Sequence, residues 1–194
     1  MSTNKFIEYI QNYTAGKSVC ILGFGREGKS TYNILKKYCT PSKIAICDLY
    51  NVDREANNLP DDVKLICGES YQECLDDFDM VFKSPGIVLN KQPKELKCLI
   101  TSETQVFFEV YREQIIGITG TKGKTTTSTL IYEMVKQAGK TVSLIGNIGV
   151  PVLDNLAEGE TEVAVIEMSS HQLEFTTASP HVAVMTNIYP EHLD

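Results

Sequence analysis

At 194 residues the chain has room for one large or two small α/β units, and it can bury a core without disulfides or a structural metal. Its 18 Lys+Arg against 25 Asp+Glu leave a formal charge of −7, and no basic run is present that could neutralise a phosphate backbone, so nucleic acid is not an expected partner. Met1 to Tyr13 mixes polar and apolar residues, unlike a signal peptide, and no apolar stretch approaches membrane length, which points to a soluble, cytoplasmic protein with no membrane partner. Cys20, Cys39, Cys47, Cys67, Cys74 and Cys98 form no C-x-x-C pair, and several sit in apolar runs, as buried small hydrophobes in a reducing compartment do.

In chain order, the pattern alternates strand and helix. Ser18 to Gly23 reads as a strand, Gly28 to Tyr38 as a helix, and Lys43 to Asp48, Val63 to Cys67 and Asp79 to Phe82 as further strands. This order predicts a Rossmann-like domain with a parallel sheet, over residues 1–93. The first strand runs into Gly23-Phe24-Gly25-Arg26-Glu27-Gly28, a G-x-G-x-x-G turn that opens a helix, and Asp48 closes the next strand where a ribose-binding acid is expected. Taken alone the turn suggests NAD, but its physical content is a helix N-terminus that accepts an anion, and uridine diphosphate fits it equally well. Asp48 by itself is also compatible with a solvated strand end. Ser84-Pro85-Gly86-Ile87 follows the fourth strand at the carboxyl edge where such sheets bind ligands, although Ser-Pro-Gly is commonly only a turn.

A polar stretch, Asn90 to Glu95, then Leu96 to Thr101 and a helix from Glu103 to Arg112 mark a boundary, with 94–114 expected as a linker. From 115 to 194 the apolar runs Ile115 to Ile118, Val142 to Ile145, Val163 to Ile166 and Val182 to Met185 read as parallel strands covered on both faces. The first of them leads into Gly120-Thr121-Lys122-Gly123-Lys124-Thr125, after which Leu130, Ile131, Met134, Val135 and Ala138 recur at helical spacing up to Gly139. Strand, glycine loop and helix come in the order a phosphate site requires: unpaired N–H groups and a positive dipole end face the anion, Lys124 reaches the β- and γ-phosphates, and the Thr125 hydroxyl sits on Mg²⁺. The long Walker pattern would need glycine at 118, where Ile118 stands, so the loop is of a shorter form.

Gly146-Asn147-Ile148-Gly149 ends the next strand, and Glu167-Met168-Ser169-Ser170-His171-Gln172-Leu173-Glu174 the one after it. A carboxylate at the end of a strand beside a phosphate loop, as Glu167 is, suits a Mg²⁺ contact in phosphoryl transfer. Asn187-Ile188-Tyr189-Pro190-Glu191-His192-Leu193-Asp194 follows the last strand. There His192 could complete a divalent site, while His181 reads as structural and His171 stays open between the two. The chain stops after a strand and a short turn, so this P-loop ATPase domain of α/β class is expected to be incomplete at its C-terminus.

Taken together, these strings resemble the Mur ligase family of peptidoglycan synthesis, over almost the whole chain. The Ser-Ser-x-Gln-Leu-Glu string, the Gly-Asn-Ile-Gly string and the glycine turn with Ser-Pro-Gly-Ile are most similar to the branch that adds D-glutamate. The resemblance implies an ATP-dependent ligase that joins D-glutamate to UDP-N-acetylmuramoyl-L-alanine through an acyl phosphate, with ATP and Mg²⁺ as cofactors. By it, Gly25, Arg26, Glu27, Ser84, Pro85 and Gly86 hold the UDP moiety, with Asp48 near the uracil. Asn147, Ser169 and Gln172 face the muramoyl part or the metal-bound phosphates. Gly120, Thr121, Lys122, Gly123, Lys124, Thr125 and Thr126 bind ATP, Thr125, Glu167 and His192 hold the metal, and Lys124, Glu167 and His192 form the catalytic set. Lys122 stands where the family often has Asn, and Gln105 where it often has Glu. The family's carbamylated lysine and its amino-acid-binding domain would lie past Asp194, so the chain alone is expected to be inactive, and a monomer. Other readings are a different Mur-type amide ligase, a nicotinamide-dependent oxidoreductase resting on the first glycine turn, and a non-catalytic nucleotide-binding fragment. A dehydrogenase has no use for the second phosphate loop.

Overall fold

The computed structural model describes residues 4–146, 151–157 (side chains to 154) and 161–190. The chain divides into two compact units, 1–103 and 104–194. Among the described residues no helix is long and apolar enough to cross a membrane.

The first unit opens with α1 (Lys5–Thr14), which the mixed composition of the N-terminus had concealed. Phe6, Ile10 and Thr14 recur every fourth residue and are buried, and the Asn4 side chain accepts a hydrogen bond from the Phe6 N–H to cap the helix. Then come β1 (Ser18–Leu22), α2 (Arg26–Tyr38), β2 (Lys43–Asp48), β3 (Lys64–Cys67), β4 (Met80–Lys83) and β5 (Leu99–Thr101). All five strands are parallel, in the order β3-β2-β1-β4-β5. Since β1 pairs with β2 on one side and β4 on the other, the chain reverses its direction of winding at β1, and a crevice opens beyond the carboxyl ends of β1 and β4. One face of the sheet carries Cys20, Leu22, Ala45, Cys47 and Val81 and packs on Tyr71, Leu75 and Phe78. α2 lies on β1 and β4 and buries Tyr32, Ile34 and Leu35.

Leu99–Thr101 lies inside the stretch expected as a linker, yet it pairs with β4 as an edge strand of the first sheet. Three residues are too few to show a strand period, so the pairing partner decides this element. α2 starts at Arg26, two residues before the expected Gly28, because Gly25 already serves as its N-cap.

All six cysteines are free thiols. The Cys20 and Cys47 sulfurs lie 3.2 Å apart, and Cys47 and Cys74 3.6 Å apart. The bond to Cys20, together with burial, pushes the Cys47 thiol up, and burial with the neighbouring Cys47 pushes Cys74 up to about 12. Such thiols stay protonated at neutral pH and are poor nucleophiles.

The second unit contains α3 (Glu103–Tyr111, of which Glu103 belongs to the first unit), β6 (Ile115–Thr119), α4 (Lys124–Gln137), β7 (Val142–Gly146), α5 (Val152–Ala157), β8 (Val163–Glu167), α6 (Ser170–Leu173) and β9 (Val182–Met185). Its sheet is again parallel, in the order β7-β8-β6-β9, with α4 packed over β7, β8 and β6. β6 and β8 are buried as their apolar runs require. β9 departs from the expectation of cover on both faces: it is an edge strand, Val182 is 43% exposed and Met185 62% exposed. An apolar run reports that a strand is suited to burial, but the neighbours that bury it come from elsewhere in the chain.

Candidate nucleotide and phosphate sites

In the first unit the glycine turn closes over the end of β1. Gly23 has φ +90, a conformation that L side chains rarely adopt, and a Cβ there would meet Ser84 at 3.0 Å. Its N–H donates to the Cys47 carbonyl at 2.8 Å, and its carbonyl accepts from Ser84 Oγ at 3.1 Å. The Ser84 N–H donates to the Leu22 carbonyl at 2.9 Å, so the Ser-Pro-Gly turn is tied directly to the glycine turn. Gly28, in the first turn of α2, approaches the Gly23 carbonyl so closely that a Cβ would lie 2.0 Å from its oxygen.

Asp48 ends β2 beside this turn, and both carboxylate oxygens accept main-chain N–H groups: Oδ2 from Phe24 at 2.7 Å and Oδ1 from Tyr50 at 2.9 Å. Its role in the fold is therefore to hold the glycine turn in shape. Gly25 caps α2 without a side chain, which leaves the helix entrance shaped for an anion, with exposed Arg26 and half-buried Glu27 at its mouth. Pro85 and exposed Gly86 complete the opposite wall, in a turn closed by the Ile87 N–H donating to the Ser84 carbonyl at 3.2 Å. A hollow of about 280 Å³ lined by Lys36, Cys39, Lys43 and Asp62 lies at the other, amino-terminal edge of this sheet, away from the turns.

In the second unit the loop from Gly120 to Gly123 joins β6 to α4. Gly120 has φ +134, and a Cβ there would lie 2.2 Å from Thr186 Oγ1. The loop is stapled to the segment after β9: the Thr121 N–H donates to the Asn187 carbonyl at 3.1 Å, the Lys122 N–H to Asn187 Oδ1 at 2.9 Å, and Asn187 Nδ2 to the Lys122 carbonyl at 2.9 Å. Thr186 Oγ1 donates to the same carbonyl at 2.7 Å. Asn187 opens the string after the last strand but is not among the expected site residues; an amide two residues past an apolar strand at the carboxyl edge is the signal that marks it.

Lys124 folds back on its own loop, donating from Nζ to the carbonyls of Gly120 at 2.6 Å and Thr121 at 3.2 Å. Thr125 and Thr126 follow on the exposed start of α4. Glu167, 2% exposed at the end of β8, is level with Ile118 in the neighbouring strand. Its Oε2 accepts from Thr125 Oγ1 at 2.9 Å. Two hard oxygen donors thus meet at the mouth of the phosphate loop, the donor chemistry that Mg²⁺ takes. Among the described residues no three His, Cys, Asp or Glu side chains gather as a metal cluster, and His192 and Asn147, both expected here, lie outside the described residues.

Ser169 and Gln172 form a reciprocal cap on α6. Ser169 Oγ accepts from the Gln172 N–H at 3.3 Å, and Gln172 Oε1 accepts from the Ser169 N–H at 3.0 Å. Gln172 is buried and His171 exposed. The Met168 N–H donates to the Ile118 carbonyl at 2.8 Å, and Thr119 Oγ1 to the Met168 carbonyl at 3.1 Å, so this segment starts anchored to β6.

A parallel α/β unit with a glycine turn at its switch point is followed by another with a lysine-bearing loop and a strand-end carboxylate, two loops of the shape that phosphate-bearing ligands take. The chain belongs to the Mur ligase family: residues 17–107 match the Mur ligase MurD-like N-terminal domain and residues 118–194 the Mur ligase middle domain. The UDP-N-acetylmuramoylalanine--D-glutamate ligase of Acetivibrio thermocellus is 45% identical over 69% of this chain and 30% of its own length. The enzymes of that name from Clostridium botulinum and Clostridium acetobutylicum are each 34% identical over 98% of this chain and 42% of their own length. The chain therefore spans less than half the length of these relatives. A solved structure, the UDP-N-acetylmuramate:L-alanyl-gamma-D-glutamyl-meso-diaminopimelate ligase from Neisseria meningitides, matches 93% of this chain and 63% of its own at a TM-score of 0.51 and 20% identity, a likeness of fold.

Proposed function

We propose that the chain supplies the nucleotide-sugar and ATP sites of a ligase that adds D-glutamate to UDP-N-acetylmuramoyl-L-alanine. The observation that carries this reading is the pairing of Thr125 with Glu167 at 2.9 Å beside Lys124, in a chain that also has a separate glycine turn for a second diphosphate. Two phosphate-binding loops suit a reaction with two nucleotide substrates. A dehydrogenase would need only the first.

In the proposed reaction the substrate carboxylate attacks the γ-phosphorus of ATP, the bond to the β-phosphate oxygen breaks, and an acyl phosphate and ADP form. The D-glutamate nitrogen then attacks the acyl carbon, loses a proton, and inorganic phosphate leaves with the C–O electron pair. Phosphate is the reason for spending ATP, because an amine cannot expel oxide from a carboxylate. Lys124 exchanges its loop carbonyls for phosphate oxygens and neutralises charge on the transferring group. Gly120 and Gly123 allow the main chain to wrap the phosphates. Thr125 and Glu167, with His192, would hold Mg²⁺, which when bound offsets charge on the β- and γ-phosphates. Gly25 to Glu27 and Ser84 to Gly86 would grip the UDP moiety, with Asp48 fixing the turn between them, while Asn147, Ser169 and Gln172 would face the muramoyl end. The protein would act in the cytoplasm, as a monomer.

Calorimetric titration with UDP-N-acetylmuramoyl-L-alanine, UDP, NAD and a non-hydrolysable ATP analogue with Mg²⁺ tests the reading. Binding of the UDP compounds and of the ATP analogue at independent sites is the expected result. NAD binding without a UDP response would replace the ligase reading with a redox one.

A further inference from the structure

Gln105 lies near the start of α3 and is 7% exposed. Its Oε1 accepts the Thr177 N–H at 2.9 Å, while its Nε2 donates to Thr177 Oγ1 at 3.0 Å and to Glu109 Oε1, one turn further along the helix, at 2.8 Å. A single side chain thus serves a main-chain donor and a carboxylate acceptor at once. An amide offers both: a carboxylate in its place would keep the acceptor, lose the donor, and face a second carboxylate at the same short distance.

Thr177 closes the stretch that begins at Glu167. Between them, Thr176 bonds back to α6, its N–H donating to the Leu173 carbonyl at 3.1 Å and its Oγ1 to the Gln172 carbonyl at 2.8 Å. Gln172 in turn caps Ser169. Residues 167–177 are therefore held at one end by Thr125 on Glu167 and at the other by Gln105 on Thr177.

We propose that Gln105 is a positioning residue for the phosphate site: its amide, oriented by Glu109, fixes Thr177 and thereby sets Glu167 and Ser169 against the phosphate loop. The inference rests on the ATP-dependent reading of that loop.

The test uses Gln105→Glu, which preserves shape and removes the donor, and the double variant Gln105→Glu with Glu109→Gln, which exchanges amide and carboxylate. Affinity for the non-hydrolysable ATP analogue with Mg²⁺ should fall roughly tenfold in the single variant and recover to within about twofold in the double, with far-UV circular dichroism unchanged, since rescue requires only that one partner of the pair donate. Equal affinity in wild type and Gln105→Glu overturns the proposal, as does a double variant as weak as the single one. Should Gln105→Glu not fold, Thr177→Val, which deletes only the Oγ1 contact, should weaken the same binding by about threefold, and unchanged binding is the contrary result. The amide resonances of Met168 and Ser169 give a readout without nucleotide: they should move in Gln105→Glu and return in the double variant, and resonances that stay put overturn the proposal. A wild-type chain that binds no nucleotide sinks the ATP reading instead, and leaves the resonance experiment to judge Gln105.

Discussion

Lys124 spends the structure bonded to its own loop, with Nζ on the Gly120 and Thr121 carbonyls. The two loop carbonyls keep the ammonium satisfied, and under the proposed ATP reading binding would exchange them for phosphate oxygens. Lys124→Ala should weaken binding of the ATP analogue by roughly tenfold or more, a loss of about 1.4 kcal/mol per decade. Calorimetry reads this directly, and wild-type affinity in the variant would put the phosphates elsewhere. Gly28 sets a second limit at the same scale. An alanine methyl would sit 2.0 Å from the Gly23 carbonyl oxygen, which is main chain and cannot swing aside as a side chain would. Gly28→Ala should destabilise the first unit by about 3 kcal/mol, at the upper end of overpacking costs. An unchanged urea midpoint would contradict the geometry of the turn.

Pairs of elements are held by contacts that act between strand ends. At the amino edge of the first sheet, Asp79 Oδ2 accepts from the Ser18 N–H at 2.8 Å and from Ser18 Oγ at 2.7 Å, joining the start of β1 to the start of β4. The Ser18 donors hold the Asp79 carboxyl below its ordinary value. A carboxyl whose pKa is depressed in the folded state adds stability above its unfolded value and loses that stability as pH falls through the folded one. Asp79→Asn should therefore lower the unfolding midpoint at neutral pH, and the gap to wild type should close as pH falls through the depressed range of the Asp79 carboxyl. A gap that is independent of pH would mean that the charge on Asp79 does nothing for the pairing. The staple between the phosphate loop and Thr186–Asn187 has the same logic at the carboxyl edge of the second sheet, where it ties β6 to the segment after β9.

At the scale of the molecule, the two units are separable in their pairing. Every strand of the first sheet finds its partners within residues 1–103, and so does the buried bond from Thr31 Oγ1 to Glu103 Oε1, at 2.9 Å. A chain of residues 1–103 expressed alone should fold cooperatively and show native amide dispersion in an NMR spectrum. A spectrum of collapsed, unfolded type would show that the second unit is needed to order the first. The second unit leaves apolar side chains on its surface, with Met134 70% exposed on α4 and Ile188 74% exposed after β9.

Signals short enough to be carried by neighbouring residues were legible in the sequence alone. The two glycine loops, the strand ending at Asp48 and the carboxylate ending the strand at Glu167 each follow from a local pattern of apolar runs and glycines, because a main chain that turns sharply or approaches an anion needs glycine at fixed offsets. α1 escaped because its apolar face is only a few residues among polar ones, and β5 because three residues show no period. Tertiary structure alone decided which distant groups meet: Thr125 with Glu167, Lys122 with Asn187, Asp48 with the Phe24 N–H, and Gln105 with Thr177. Such pairs depend on strand order and register, which are settled by the burial of whole faces and leave no mark in the spacing of the residues they bring together.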